Sequence, residues 1–327
     1  MTTRKRLMLA ALAAVALGPQ DAAGQTYPDK AITIVIPLGA GGAMDRFTRV
    51  IADNLSKRFG QPVVVENRPG GGMVIGASAV AAAAPDGYTL MNAPSGAYVI
   101  NPTLYKKLAY DPAHDFVPVA LYAHIPFVLV VNPSLPVTSV KELIQYSKDN
   151  PGKVSYAAST RGAVIHLAGE MLMHEAKIRM VSVPYKQGGP AALNDVVAGH
   201  VPVTFADPSL VPGLIAGGKL RALAVSSRTR VQNLPDVPTL EEAGVPGFEA
   251  VSWHLIVAPA KTPKPIVDRL NAEIKALTTE PAIREQMLKL GLMPVETPPV
   301  AALQDFVASE NRKWGEIVRK AGVAGSL

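Results

Sequence analysis

The chain has 327 residues, 48% of them apolar and 18% charged, enough for one large domain or two lobes around a sizeable core. It has no cysteine, which excludes disulfides, thiolate catalysis and Cys-ligated metals. The formal charge is +6, but the charges are interspersed with no basic block, which argues against a nucleic-acid partner.

Residues 1–24 stand apart from the rest. Arg4, Lys5 and Arg6 precede an apolar run, Leu7–Leu17, of 11 residues, too short to span a bilayer. Ala22 and Gly24 offer small residues for a cut before Gln25. This is the pattern of a secretory signal peptide and predicts an exported protein, periplasmic in a Gram-negative source. Its removal takes away three basic groups and Asp21, so the charge falls from +6 to 6 − 3 + 1 = +4. No later run approaches the ~18 apolar residues of a spanning helix.

The apolar run Ile32–Ile36 predicts a buried strand. Three glycines, Gly39, Gly41 and Gly42, follow it, and then a helix from Met44 whose buried face carries Phe47, Val50, Ile51, Leu55 and Phe59. Gly60 predicts its end. "PVVVEN" reads as a strand, "RPGGG" as a turn, "MVIGASAVAAAA" as a helix and "YTLMNA" as a strand. "FVPVALYAHIPFVLVVNP" is extended and interrupted at Pro118 and Pro126. The helices "SVKELIQYSKD" and "AVIHLAGEMLMHEA" and one opened by Pro190 alternate with the strands "KVSYAAS", "MVSVPY", "VPVTFAD" and "LRALAVSS". "EAVSWHLIVAPA" is again a strand, and three helical segments close the chain, about 263–278, 281–290 and 299–320.

Such alternation predicts an α/β fold with mostly parallel strands covered by helices on both faces. The length suggests two sheets. The extended stretches near 118–131 and 246–258 are the expected crossings, giving lobe 1 from residues 25–124 plus 250–327 and lobe 2 from 125–249.

In α/β sheets, ligands dock outside the carboxyl ends of strands, where helix N-termini offer free N–H groups and a positive dipole end. Four strand ends here share that form: Pro37–Ala43, Ala93–Ala97, Ala158–Gly162 and Tyr185–Pro190. Without side chains at Gly41 and Gly42, an anion can reach the amides. Enzyme signatures are missing: there is no G-x-S-x-G, no P-loop and no H-E-x-x-H. "GGGMVIG" (Gly70–Gly76) is one residue too long for a dinucleotide fingerprint and reads as a turn. The six histidines are scattered, and His166, near a helix start, is the one to test.

The segments "YPDKAITIVIPLGAGGAMD", "FGQPVVVENRPGGG", "APDGYTL", "INPTLYKKLAYDPAHDFVPVAL", "VPYKQGGPA", "AGGKLRALAVSS" and "LPDVPTLEEAG" resemble the Bug family. These are the TctC-like substrate-binding proteins of tripartite tricarboxylate transporters, and the resemblance runs from Gln25 to about Val323. It implies a two-lobed periplasmic binding protein of type II, a Venus flytrap that traps a small carboxylate by hinge closure. It implies delivery to TctA/TctB-like membrane subunits, no cofactor, and a monomer. It also implies that backbone amides and hydroxyls of the strand–helix loops hold the ligand, in place of an arginine clamp. On matching positions these are Leu38, Ala40, Gly41, Gly42, Ala43 and Asp45, then Ser95 and Gly96 in lobe 1. In lobe 2 they are Ser159, Thr160, Gly162 and His166, with Tyr185 and Asp207 nearby.

The chain departs from the family pattern in places. Leu38 stands where an aromatic is usual, Ala158 and Ala163 replace hydroxyls, and Arg161 appears between them. The prolines of "FADPSLVPGL" come one residue early, so positions 207–212 differ from the pattern. A roomier, less hydroxylated pocket is expected, in which Arg161 either reaches a second carboxylate or points to solvent. Two competing readings remain: a sensory protein presenting the same ligand to a periplasmic sensor domain, and an enzyme using a chance Ser159/His166 pair.

Overall fold

The computed structural model describes residues 27–159, 162–185 and 188–327. The signal-peptide reading of residues 1–24, Thr160 and Arg161 therefore lie outside the described residues.

Two mixed sheets organise the chain. The first takes β1 (Ile32–Ile36), β2 (Val63–Asn67), β3 (Thr89–Ala93), β4 (Phe116–Ile125), β10 (Ser252–Pro259) and β11 (Met293–Pro294), in the order β11-β4-β10-β3-β1-β2. The second takes β5 (Val128–Val131), β6 (Ser155–Ala158), β7 (Val181–Pro184), β8 (Val203–Ala206) and β9 (Arg221–Val225), in the order β7-β6-β8-β5-β9. Each sheet has a parallel triad, β1, β2 and β3 in one, β6, β7 and β8 in the other. The strand that follows each crossing runs against them: β10 is antiparallel to β3 and β4, and β5 to β8 and β9. Pro118 stays inside β4, and the β4–β10 register shifts between Ile256 and Val257, the partner of Pro118. A proline offers no N–H to the ladder, so a central strand accommodates it only at such an irregularity.

The helices are α1 (Ala43–Phe59), α2 (Val74–Ala81), α3 (Val140–Asp149), α4 (Val164–Ala176), α5 (Gly189–Val197), α6 (Lys264–Thr278), α7 (Pro281–Lys289) and α8 (Val300–Lys320), with shorter turns between. Met44, Phe47, Ile51 and Leu55 of α1 are buried, while Val50 and Phe59 pack at the rim. Burying each large apolar side chain stabilises by about 1.5–3 kcal/mol, so this one face holds α1 to its sheet. Gly60 ends α1 in the left-handed conformation, its N–H on the Ser56 carbonyl.

The chain passes between the sheets at residues 126–127 and 226–251. Ser226 ties the two passages together. Its hydroxyl accepts the Phe127 N–H at 2.8 Å and donates to the Ala250 carbonyl at 2.6 Å. Its own N–H donates to the Phe127 carbonyl at 2.8 Å.

Candidate functional site

A cavity of about 110 Å³ lies where the two lobes meet. Its walls are largely apolar, with Leu38, Met44, Met73, Ile125, Phe127 and Ile165 contributing. First-turn or capping residues of three helices line it: Gly42 and Met44 of α1, Ala163 to Ile165 of α4, and Gly188 to Pro190 of α5. All three helices start from residues that give no side-chain cap, Gly42, Ala163 and Gly188. The opening N–H groups of a helix have no partner within it, so partners must come from elsewhere. By contrast, α3 is capped locally, its Ser139 hydroxyl accepting the Glu142 N–H at 3.2 Å.

The loop after β1 brings Leu38 and Gly42 to the cavity, and the first turn of α1 adds Asp45. Asp45 is buried and accepts from Arg49 Nη2 at 2.8 Å and from the Gly41 N–H at 3.0 Å. Burial opposes its ionisation, but the Arg49 and Gly41 bonds outweigh it and hold the carboxyl below its usual range. From the other lobe, Asp207 follows β8 and accepts the Ala43 N–H at 2.6 Å. It also accepts the Ser209 N–H at 2.8 Å. Burial pushes the Asp207 carboxyl up, against those bonds and the field of Arg46.

Gly70, Gly71, Gly72 and Met73 have φ of 125°, 56°, 63° and 76°, a left-handed run that the glycines adopt freely and Met73 adopts under strain. Asn101 Nδ2 fixes the Gly72 carbonyl at 2.9 Å, and the Tyr105 hydroxyl fixes that of Gly71 at 2.8 Å. The run thus drives the Met73 side chain into the neck between the cavity and an outer chamber of about 630 Å³. Leu38, Gly39 and Gly188 share that neck, and Tyr185 lines the outer chamber. Burial and the Asp195 carboxylate, 2.6 Å away, push the Tyr185 hydroxyl up to about 12.

The residues singled out in the sequence are thus distributed. Leu38, Gly42, Asp45, Gly96, Ser159 and Asp207 line the cavity. Ala40 and Gly41 are exposed on the rim, and Ala43 is buried behind it. Ser95 is buried, its hydroxyl 3.0 Å from that of Ser252, which lines the cavity. Gly162 (φ 80°) presses on the first lobe: a Cβ there would stand 2.4 Å from Leu104 Cδ2. His166 lines a different pocket with Glu170, its Nε2 3.8 Å from that carboxylate. Ser252, Met73, Ile125 and Phe127 escaped sequence reasoning. Only Phe127, just after the Pro126 break, carried a local signal. Among the described residues no group of three His, Asp or Glu side chains could hold a metal ion, and no helix is long and apolar enough to cross a membrane.

Two α/β lobes closing on one cleft define a two-lobed periplasmic binding protein. The chain belongs to the tripartite tricarboxylate transporter family receptors (TctC), whose profile matches residues 47–323. It is similar to the solved periplasmic binding protein BugD, at 36% identity over 91% of this chain and 99% of that one, TM-score 0.84. It is similar to R. palustris Rpa4515 with adipate, at 36% identity over 91% and 99% of the two chains, TM-score 0.87. It is also similar to MatC of Rhodopseudomonas palustris with bound malate, at 32% identity over 89% and 100%, TM-score 0.82. These are binding proteins, and the family is one of receptors, not enzymes.

Proposed function

We propose that this chain is a periplasmic receptor that captures a small organic acid between its lobes and delivers it to a tripartite tricarboxylate-type membrane transporter. The observation that carries the reading is the meeting of three helix N-termini on one apolar cavity, those of α4 and α5 starting from residues without a side-chain cap and that of α1 met by Asp207 of the facing lobe. Backbone N–H groups and the positive ends of helix dipoles there suit an anion whose carbon body lies against Met44, Phe127 and Ile165. The carboxylates named with two similar proteins, adipate and malate, point the same way. In this reading Gly42, Ser159 and Ser252 are the principal ligand contacts, Gly162 seats the second lobe against the first beside them, and Tyr185 guards the outer chamber. The lobes are residues 25–124 plus 250–327 and residues 125–249, and closure is a hinge motion about the Ser226 tie. Residues 1–24 act as the export signal.

Thermal unfolding of the mature protein against organic acids, amino acids, sugars and metal ions tests this. Free ligand at about 100 times its Kd adds about 2.7 kcal/mol. Stabilisation confined to carboxylates is the expected result. Stabilisation by sugars or metal ions alone would overturn the reading.

A further inference from the structure

The N–H that the glycine loop would offer to a ligand anion is already engaged. Ala43, the first residue of α1, donates to Asp207 Oδ2 at 2.6 Å, and Asp207 belongs to the other lobe, 164 residues away. The fit is close: a Cβ on Gly42 would stand 3.2 Å from the same oxygen. Among the described residues lining the cavity, the charged side chains are Asp45 and Asp207, with no lysine, arginine or histidine. Asp45 is neutralised by its ion pair with Arg49 at 2.8 Å. Asp207 has no such described pair and feels exposed Arg46 only through space. A second anion near Ala43 would have to displace the Asp207 oxygen from its N–H and, at pH values where Asp207 is ionised, would face its charge inside a largely apolar cavity. Among the described residues, no acid lines the cavity at the N-termini of α4 and α5 on the opposite wall.

We propose that Asp207 takes the place of a ligand's second carboxylate at the start of α1, making this receptor selective for monocarboxylates. This rests on the cleft being a carboxylate site. The ligand's one carboxylate lies toward α4 and α5, and its apolar end lies toward Met44, Phe127 and Asp207. Asp207 is then both the specificity residue and a hydrogen-bonded strap between the lobes.

The test is calorimetric titration of two matched pairs, hexanoate with adipate and benzoate with terephthalate, into the wild-type protein and into Asp207→Ala and Asp207→Asn. The wild type should bind a monocarboxylate at least about tenfold tighter than its diacid, the scale of one charge-assisted hydrogen bond. Asp207→Ala should erase or reverse that ratio. Asp207→Asn, which keeps an oxygen for the Ala43 N–H without the charge, should fall between. A wild type that prefers the diacids, or a ratio unchanged in Asp207→Ala, overturns the proposal and leaves the receptor reading intact. Binding of neither pair overturns both. Amide exchange over residues 41–45, read without added acid, should quicken in Asp207→Ala while exchange at Gly60 does not change. Equal protection in both proteins would show that Asp207 does not hold that amide.

Discussion

His254 is a titratable group buried deep in the first lobe. It is fully buried on β10, its Nδ1 2.9 Å from the Tyr122 hydroxyl, which accepts from Asn92 Nδ2 at 2.7 Å. Asn92 also donates to the Thr48 hydroxyl at 2.7 Å, so a polar chain of four side chains runs through an apolar core. Burial holds the His254 ring neutral, its pKa pushed down from 6.5 to about 3. Between those values the unfolded chain binds a proton that the folded chain does not. Stability therefore falls as pH drops through this window, by up to about 1.4 kcal/mol per pH unit. Urea unfolding across the window should show that slope in the wild type and a flatter one in His254→Gln. An unchanged slope in the variant would assign the acid sensitivity to other groups.

Secondary-structure elements show where local signals sufficed. The β1–α1 unit was legible because its strand is a short apolar run, its helix has one apolar face, and glycine closes it. The π-helical turn Gly96–Ile100 was not: its residues are apolar on every side because the turn is buried all round, which erases periodicity. The C-terminal helix α8 was legible as a helix, but not for what it does. Its Glu310 Oε2 accepts the indole N–H of both Trp253 and Trp314 at 3.0 Å, pinning α8 to β10. Glu310→Ala would leave two buried donors without that acceptor and should cost about 2–4 kcal/mol in denaturant melts. Glu310→Gln, which keeps one oxygen, should recover at least half of it. In α4, Gly169 faces the Tyr156 ring so closely that a Cβ would stand 2.3 Å from it. Gly169→Ala should therefore destabilise despite the better helix propensity of alanine, by about 1–3 kcal/mol of overpacking.

For the whole molecule, the expected behaviour is closure about the two passages between lobes. Ser226 holds them together through both its hydroxyl and its backbone. Ser226→Ala orphans the buried Phe127 N–H and should lower stability by about 1–3 kcal/mol. Small-angle scattering with a carboxylate hit should show a smaller radius of gyration on binding in the wild type. A radius unaffected by saturating ligand would argue against hinge closure. Gly162→Ala reports from the cleft side. Its positive φ and the close approach to Leu104 should weaken ligand binding by about tenfold, since a strained contact of about 1–3 kcal/mol is made when the lobes meet.

The residue order by itself determined the α/β class, the two-lobe count and the glycine-bearing strand ends, because short apolar strands, amphipathic faces and turn glycines are local properties of a few neighbouring residues. It also carried enough ordered motifs to mark the family. Only the tertiary structure decided how the cleft is lined. Phe127 and Ser252 reach it because the lobe crossings pass beneath it, and Met73 because a left-handed glycine run turns it inward. Asp207 meets Ala43 across 164 residues. No periodicity records such a meeting, since it arises only when two separately folded sheets bring their strand ends together and an uncapped helix takes its partner from the facing lobe.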